Sequence, residues 1–378
     1  MTGVPLTVGF IPLVDAAALI VAVDKGFAAA EGLDVALVRE VSWSNVRDKL
    51  NVGLFDAAHL LAPVAIASSL GLAQVRVPIA APFDLGLNGN AITVSPSLHA
   101  AILAEADGDP ADPMVSAAAL GRVVAARRAG GREPLIFGMT FPFSTHNYQL
   151  RFWMAAGGVD PDEDVRLVVL PPPYMVESLA SGHVDAFCVG APWNAVAVDI
   201  GVGRILHCVA DLFPHAAEKV LAVRAPWAAQ NPETLAKLIR ASSRAAEFIA
   251  DPANRDEVVR LLAHPERIGV DTEAIRRSFD SLRVFPAGGA QDGVGRPDPV
   301  QAAWLYAQMA RWGQAAFSPE GLDAARRVFR PDLYDAALGR PAPAAAGSDG
   351  IGAFTGPAFD PDAIPAYLAA FPIRHGRG

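Results

Sequence analysis

Cysteine is scarce in this sequence, and the short motifs that mark the common enzyme classes are missing. The chain of 378 residues contains two cysteines, which is too few for a disulfide framework. Cys188 and Cys208 both lie in apolar runs typical of buried strands, where a thiol packs as a small hydrophobic residue. The sequence has no Gly-x-Ser-x-Gly, no phosphate loop ending in Gly-Lys-Ser/Thr, no Cys-x-x-Cys and no histidine pair at metal-ligand spacing within a helix. We therefore predict no catalytic residue, no metal site and no cofactor, so that the chain is not an enzyme.

Positive charge is also in short supply. The chain has 31 Lys and Arg residues against 40 Asp and Glu residues, a formal net charge of −9. Nucleic acids and anionic membrane surfaces require clustered Lys and Arg, and the apolar run at 16–23 is far shorter than a membrane span. We expect neither direct nucleic-acid binding nor membrane insertion. The first residues lack the basic segment and apolar core of a secretory signal, which predicts a cytoplasmic location.

The hydrophobic pattern is that of an α/β protein. Hydrophobic residues make up 52% of the chain, enough for a large core. Up to residue 223, short apolar runs alternate with helical patterns, which is typical of helices layered around a largely parallel sheet. Beyond that point, long helices follow, opened by Asn231-Pro232, Asp298-Pro299 and Ser318-Pro319. An Ala/Gly/Pro-rich strap is predicted at about 341–356.

The length of the chain suits two lobes that share a waist. The change of pattern places residues 1–95 plus 224–378 in lobe 1, which is discontinuous and carries the C-terminal helices and strap. Residues 96–223 then form lobe 2.

A polar segment between a predicted strand and a predicted helix, Thr140–Asn147, is the first candidate binding site. It places hydroxyls and an imidazole, among them Thr145 and His146, at a helix N-terminus. The first amides of a helix lack intrahelical partners and the helix dipole favours negative charge, so such an end binds anions. The plainer interpretation is that Ser144 or Thr145 only caps the helix and that His146 lies at the surface.

Two further candidates lie in predicted strands or at their ends. In Asp185–Asn194 a strand ends at Gly190, which allows close approach of the backbone, and Pro192 starts the next helix with Trp193 beside it. Ligands of open α/β sheets bind beyond the carboxyl ends of strands, although a plain strand–turn–helix joint fits equally well. Lys219 enters an otherwise apolar strand, where a buried ammonium is costly unless it meets an anion. Alternatively, Lys219 lies solvated on an edge strand.

His59 and Asn90 complete the candidate set. His59 lies in an apolar run, where a histidine is more often a satisfied core residue than a ligand. Asn88 and Asn90 fit a tight turn at least as well as a donor pair. A planar, singly charged anion needs N–H and O–H donors around its plane and one positive charge. Lys219 supplies that charge, and the other candidates supply the donors.

Several segments, in the same order along the chain, resemble a signature of the nitrate and bicarbonate transporter substrate-binding proteins. The strongest are Thr145–Gly158, Pro171–Val176, Asp185–Asn194 and the stretch from Glu218-Lys219 to Gln230-Asn231-Pro232. Weaker similarity covers residues 7–95. The resemblance implies a two-lobed α/β fold of the type II periplasmic-binding-protein kind, with a small anion bound in the cleft between the lobes.

The resemblance also assigns site residues. His146 and Lys219 match family residues that contact the anion, and Asn90 lies about where the family has a glutamine donor. Leu60 takes the position of an anion-contacting tryptophan. In bicarbonate-binding relatives a carboxylate replaces the lysine and helps to hold calcium. Lys219 therefore favours nitrate as the ligand and leaves bicarbonate second, while Glu218 beside it keeps that alternative open.

Cytoplasmic relatives of this family act as nitrate sensors that hold an RNA-binding antiterminator protein and release it when nitrate binds. The missing export signal favours that role here, a cytoplasmic nitrate sensor in nitrate assimilation with an antiterminator as its partner. One alternative is the substrate-binding component of a nitrate, bicarbonate or sulfonate ABC transporter. The other is an enzyme on the same fold, similar to the thiamin-pyrimidine synthases.

Overall fold

Two five-stranded sheets covered by helices form the described part of the chain. The computed structural model describes residues 3–73, 75–282, 295–340 and 351–375. In chain order, the strands among them are β1 (Val4–Phe10), β2 (Leu33–Arg39), β3 (Ala57–Leu61), β4 (Ile79–Leu87), β5 (Asn90–Val94), β6 (Ile136–Met139), β7 (Arg166–Val169), β8 (Ala186–Gly190), β9 (Arg204–Cys208) and β10 (Ala217–Arg224). The first sheet has the order β2-β1-β3-β10-β4 and the second the order β7-β6-β8-β5-β9.

The helices pack on both sheets and then form a helical C-terminal region. In chain order, the α-helices of the described residues are α1 (Ala17–Asp24), α2 (Phe27–Ala30), α3 (Trp43–Asn51), α4 (Ala62–Leu70), α5 (Pro96–Glu105), α6 (Pro113–Ala129), α7 (Thr145–Ala156), α8 (Met175–Ala180), α9 (Trp193–Asp199), α10 (Val209–Leu212), α11 (Ala225–Gln230), α12 (Pro232–Ala250), α13 (Arg255–Ala263), α14 (Thr272–Leu282), α15 (Pro299–Arg311), α16 (Pro319–Arg326), α17 (Pro331–Leu338) and α18 (Ile364–Ala369). No helix in these ranges is long and apolar enough to span a bilayer.

Each sheet is parallel on one side and antiparallel on the other. β1 pairs in parallel with β2 and β3, whereas β10 runs antiparallel to β3 and β4. In the second sheet β6 pairs in parallel with β7 and β8, and β5 runs antiparallel to β8 and β9. The largely parallel arrangement that the sequence pattern predicts is thus two mixed sheets. The antiparallel strand is β10 in the first sheet and β5 in the second. In the chain, each of these two strands directly follows a strand of the other sheet.

The chain passes between the sheets at residues 88–89 and again at residues 209–216. Asn88 and Gly89 have φ angles of 60° and 86°, a left-handed conformation that asparagine and glycine tolerate best. Asn88 Nδ2 donates to the carbonyl of Pro214 at 2.9 Å, which ties the two crossings together.

The crossings differ from the predicted lobe boundaries. Those boundaries assign β5 to the lobe of the first sheet and β10 to the lobe of the second, and each strand pairs in the other sheet. The sequence pattern misses this because a buried strand reads the same whichever sheet receives it. The division into two lobes itself stays a prediction.

The long helix predicted to open at Asn231-Pro232 is confirmed as α12. This helix buries an apolar face with Leu235, Leu238, Ile239, Ala246 and Ile249 all in the core. Earlier in the chain, Ser42 caps α3 by accepting from the amide of Asn45 at 3.3 Å. Residues 341–350 of the predicted strap lie outside the described residues. Between Ile351 and His375 the chain packs on the protein, where the amide of Phe354 donates to the carbonyl of Leu212 at 2.8 Å.

Candidate functional site

Lys219 of β10 is fully buried, with 0% of its surface exposed. The prediction that its ammonium points inward is therefore confirmed, and the alternative of a solvated edge residue is wrong. Its Nζ lies 2.8 Å from Asp15 Oδ2 and donates to Asn90 Oδ1 at 3.1 Å. The next oxygen, Glu218 Oε2, is 3.6 Å away, beyond the range of a good hydrogen bond. An ammonium has three N–H donors, so one donor of Lys219 has no partner at hydrogen-bond distance among the described residues.

Glu218 is also fully buried and accepts hydrogen bonds from three side chains. Oε2 accepts from Asn90 Nδ2 at 2.6 Å and from the hydroxyl of Thr145, and Oε1 accepts from Gln149 Nε2. Thr145 and Gln149 are four residues apart on α7, so both side chains project from one face of that helix. These bonds join α7 and β5 of the second sheet to β10 of the first.

Asp15 and His59 form the other side of the site. Asp15 lies in the short 3-10 helix Val14–Ala16, and its Oδ1 is 3.0 Å from His59 Nε2. The backbone amide of Ile11 donates to His59 Nδ1 at 3.4 Å, which fixes the proton of the neutral imidazole on Nε2. The ring of Trp43 from α3 packs edge-on against His59 with centroids 5.2 Å apart. His59 is thus a buried histidine that is bonded through Nδ1, while its Nε2 lies beside Asp15 Oδ1 without an aligned hydrogen bond.

His146 stands at the start of α7 and is fully buried. Its Nδ1 lies 3.0 Å from Thr140 Oγ1, while Nε2 is buried with no hydrogen-bond partner among the described residues. The plainer interpretation of this segment is half right. Ser144 does cap α7, accepting from the amide of Asn147 at 3.1 Å, but His146 does not lie at the surface. A buried imidazole nitrogen without a partner is costly to the fold unless a ligand or water satisfies it.

Gly190 ends β8 directly opposite Asn90 of β5, at the point where three polar groups converge. A Cβ at this position would lie 3.4 Å from Asn90 Oδ1 and 3.5 Å from both Asp15 Oδ2 and Lys219 Nζ. The missing side chain therefore keeps space beside the ammonium.

The charges of these groups follow from their mutual contacts. Burial alone would raise the pKa of Asp15, but Lys219 and His59 outweigh it and hold that pKa below its ordinary value. Burial alone would lower the pKa of Lys219, but Asp15 and Glu218 outweigh it and raise the pKa. Burial also raises the pKa of Glu218, against the opposing effects of Lys219 and the three donors. Lys219 and Asp15 are therefore an ion pair at neutral pH.

Three buried histidines should make the protein less stable in mild acid. Burial lowers the pKa values of His59 and His146 and lowers that of His207 to about 4. Unfolding restores values near 6.5, so the unfolded state binds protons that the folded state refuses. The contribution of His207 to stability is complete above about pH 6.5 and is lost as the pH falls toward about 4, and those of His59 and His146 are likewise lost as the pH falls below about 6.5.

We expect the free energy of unfolding, measured by urea denaturation, to fall between about pH 7.5 and about pH 5. The fall should be smaller in His207→Gln, which removes one of the three imidazoles at a position outside the charged cluster. A free energy of unfolding that stays constant or rises over this range would contradict the neutral state of these side chains.

The structure brings most of the predicted site residues together. Lys219, Asn90 and Thr145 share one hydrogen-bonded cluster through Glu218, Gly190 adjoins it, and His59 joins it through Asp15. The charges of Lys219 and Asp15 also act on the pKa of His146, which Lys219 lowers and Asp15 raises. No hydrogen bond, ion pair or ring contact in the described ranges links Trp193 to this cluster: its ring packs on apolar neighbours and its indole N–H is buried without an acceptor.

Two members of the cluster, Asp15 and Gln149, are absent from the sequence prediction. Asp15 is an acid in an otherwise apolar stretch, between Val14 and Ala16, and this anomaly is a signal of a buried charge. Gln149 follows Thr145 at helical spacing, which would have placed it on the same face as the predicted donor. Leu60, at the position that the resemblance gives to a tryptophan, is buried in β3 opposite Val220.

Two mixed sheets joined by two crossings, with a polar site built from both, define a binding protein of the periplasmic-binding-protein fold. The crystal structure of the periplasmic nitrate-binding protein NrtA from Synechocystis superposes with a TM-score of 0.88 at 28% identity, over 98% of this chain and 99% of that one. The fold class predicted from the sequence is confirmed. The chain belongs to the NMT1-like family, whose model matches residues 3–263.

Curated relatives agree with this assignment. The nitrate/nitrite binding protein NrtA of Synechococcus elongatus is 32% identical over 96% of this chain and 85% of its own length. The bicarbonate transport ATP-binding protein CmpC of the same organism is 34% identical over 88% of this chain and 49% of its own. The chain thus spans about half the length of the transport ATP-binding proteins that it matches. Its near full-length match to binding proteins supports the prediction that it is not an enzyme.

Proposed function

We propose that this chain binds a small monovalent anion, with nitrate first, between its two sheets. The observation that carries the proposal is the buried ammonium of Lys219, which keeps one N–H donor beside the space left by Gly190. The partnerless Nε2 of His146 supplies a second polar atom for the ligand. Nitrate is planar and ionised at every physiological pH, so it needs donors and a positive charge and no catalytic base.

The relatives favour nitrate over bicarbonate without excluding the latter. NrtA proteins are named for nitrate and nitrite, whereas the CmpC relatives are named for bicarbonate. Lys219 supports nitrate because it offers a positive charge at the position where, by the resemblance, bicarbonate binders have a carboxylate. Glu218 is the nearest carboxylate on the same strand, but its oxygens are already occupied by Asn90, Thr145 and Gln149.

The contacts set the scale of the affinity. Hydrogen bonds to a charged group contribute roughly 1.5–3 kcal/mol each, so bonds from Lys219 and His146 would supply about 3–6 kcal/mol. This corresponds to dissociation constants from millimolar to tens of micromolar. Further donors from the backbone around Gly190 would tighten the binding.

The role that the relatives favour is the substrate-binding component of an ABC-type transporter. The ligand would contact β10 and Asp15 on one side and α7 and β8 on the other, and so would bind the closed form better than the open form. A shift from 1:99 to 99:1 between two such forms needs about 5.5 kcal/mol of differential affinity.

The cytoplasmic sensor and its antiterminator partner, which the sequence analysis put first, have no support in the relatives' names or in the described contacts. We therefore place the transport role ahead of them. The cytoplasmic location stays a prediction, and fractionation of cells that carry the native protein would test it.

A screen of anions by thermal shift, followed by calorimetry, tests the proposed ligand. Nitrate should raise the melting temperature and bind one per chain, with nitrite and bicarbonate weaker and an alkanesulfonate weaker still, because its alkyl group would meet the buried polar atoms around Gly190. Tighter binding of bicarbonate than of nitrate in the presence of calcium would favour bicarbonate as the ligand. No response to any anion would remove the proposal.

Replacing Gly190 by alanine should weaken nitrate binding at least about tenfold, or about 1.4 kcal/mol, with little change in stability. The added methyl group meets its neighbours at ordinary contact distances of 3.4–3.5 Å, so the fold accommodates it. It also places an apolar group where the anion should lie against Lys219 Nζ. Gly130→Ala, at the exposed end of α6, is the matched control and should bind as the wild type does. Unchanged affinity in Gly190→Ala would move the ligand away from this strand end.

A further inference from the structure

The charged cluster contains more negative than positive charge before any ligand arrives. One ammonium, Lys219, faces two carboxylates, Asp15 and Glu218, at 2.8 and 3.6 Å. Three donors and Lys219 favour the ionised form of Glu218, and His59 and His146 are neutral, so the cluster carries one net negative charge. All five side chains are at most 2% exposed, so water does little to screen this charge. An anion placed here would bring the sum to two negative charges in a site of low dielectric, which is strongly unfavourable.

We propose that the anion enters this site together with one proton, and that His146 receives the proton and donates Nε2–H to the anion. This inference rests on the proposed anion-binding function and adds its coupling to pH. With His146 charged, the cluster and anion together carry the same net charge as the cluster alone. The site then takes up the anion together with one proton, and no other cation is needed to balance the charge of the anion.

The hydrogen bonds exclude the other candidates for the proton. A proton on Glu218 would remove the negative charge that strengthens the three hydrogen bonds its oxygens accept. A proton on Asp15 would point at the N–H groups of Lys219 Nζ or of His59 Nε2, so that two donors would face each other. His59 cannot take a second proton without losing the bond from the amide of Ile11 to its Nδ1.

Protonation of His146 neither breaks an existing hydrogen bond nor directs the new N–H at another donor. Its Nδ1 faces the hydroxyl of Thr140, which can accept as readily as it donates, and its Nε2 has no partner in the described part of the chain. The protonated ring would donate from Nδ1 to Thr140 and from Nε2 to the anion. Protonation of His146 thus completes the hydrogen bonding of the ring, whereas protonation elsewhere disrupts it.

The groups around His146 set the direction of the coupling. Burial and Lys219 of β10 lower its pKa, and Asp15 opposes them only in part, so the imidazole is neutral before the anion binds. The other titratable groups of the cluster are Glu218, which bonds Thr145 beside it, and Cys188, which contacts Gln149 on the same helix. A bound anion adds a negative charge next to Nε2 and raises the pKa of His146. Affinity should therefore rise as the pH falls, by up to about tenfold per pH unit.

Calorimetry of wild-type protein with sodium nitrate tests this, in pairs of buffers that differ in ionisation enthalpy, from about pH 8.5 to about pH 5.5. We expect uptake of close to one proton per nitrate over the range in which affinity rises. His146→Gln keeps an amide donor but cannot titrate, and it should bind more weakly at low pH with no uptake and no pH dependence. His183→Gln, at an exposed histidine, should behave as the wild type does.

The outcomes separate the two proposals. Nitrate binding with no proton uptake at any pH would overturn this inference and leave the anion site standing. Uptake that persists in His146→Gln would overturn the assignment to His146. No nitrate binding at any pH would remove the proposed function and this inference with it. If His146→Gln does not fold, nuclear magnetic resonance of ¹⁵N-histidine-labelled wild type provides the test. The imidazole nitrogen resonances of His146 should move to imidazolium values when nitrate is added. Resonances that stay at neutral values would overturn the inference.

Discussion

Replacement of Lys219 by methionine is expected to abolish nitrate binding and to lower the free energy of unfolding by about 3–5 kcal/mol. Methionine keeps much of the volume of lysine but removes the only positive charge of the cluster. Asp15 then loses its partner at 2.8 Å, and Asn90 Oδ1 loses a donor at 3.1 Å. Removing one partner of a buried ion pair leaves an uncompensated charge, and this cost exceeds the original benefit of the pair.

The two effects of this substitution can be measured separately. Urea denaturation gives the stability, and calorimetry at a temperature where the variant is folded gives the binding. The double variant Asp15→Asn/Lys219→Met removes both charges and should recover most of the lost stability without recovering nitrate binding. Lys237→Met, in an i,i+4 pair of a half-buried lysine with the exposed Glu233 on α12, is the matched control and should change stability by less than about 0.5 kcal/mol. Nitrate affinity that survives in Lys219→Met would contradict the assignment of the site.

Replacement of Glu218 by alanine should destabilise the protein by about 3 kcal/mol or more. Three buried donors, from Asn90, Thr145 and Gln149, then lose their acceptor, and each unsatisfied buried group costs about 1–3 kcal/mol. Because these bonds join α7 and β5 to β10, the contact between the two sheets is the part that weakens. The free energy of unfolding by urea denaturation measures the effect.

A graded series makes this prediction specific. Glu218→Gln retains one oxygen acceptor but turns its amide group toward a donor, so its loss of stability should be smaller than that of Glu218→Ala. Glu177→Ala, at an exposed position of α8, should change stability by less than about 0.5 kcal/mol. Equal stability of Glu218→Ala and Glu177→Ala would mean that the carboxylate does not organise the site.

Much of the site could be predicted from local anomalies in the sequence. Lys219 interrupts an apolar strand, Gly190 ends one, and His146 follows a helix cap, and each of these signals reflects a physical cost that the fold must offset. The family resemblance then ordered them into one site. The fold class followed from the alternation of strands and helices together with that resemblance.

The remainder depends on topology, which local patterns do not encode. β5 and β10 each pair in the sheet on the far side of a crossing, and nothing in their apolar runs indicates the partner strand. Asp15 acquires its role only when the 3-10 helix brings it to 2.8 Å from a lysine about two hundred positions later in the chain. For the same reason the sequence predicts that the Lys219 ammonium meets a bound anion, whereas the structure shows this ammonium already paired with Asp15.

A crystal structure of the protein grown with nitrate tests the central claim most directly. One planar ion should lie between the sheets, within hydrogen-bond distance of the Nζ atom of Lys219 and the Nε2 atom of His146, next to the backbone of Gly190. A nitrate ion bound elsewhere, with the Lys219 cluster unchanged and His146 Nε2 still without a partner, would contradict the account.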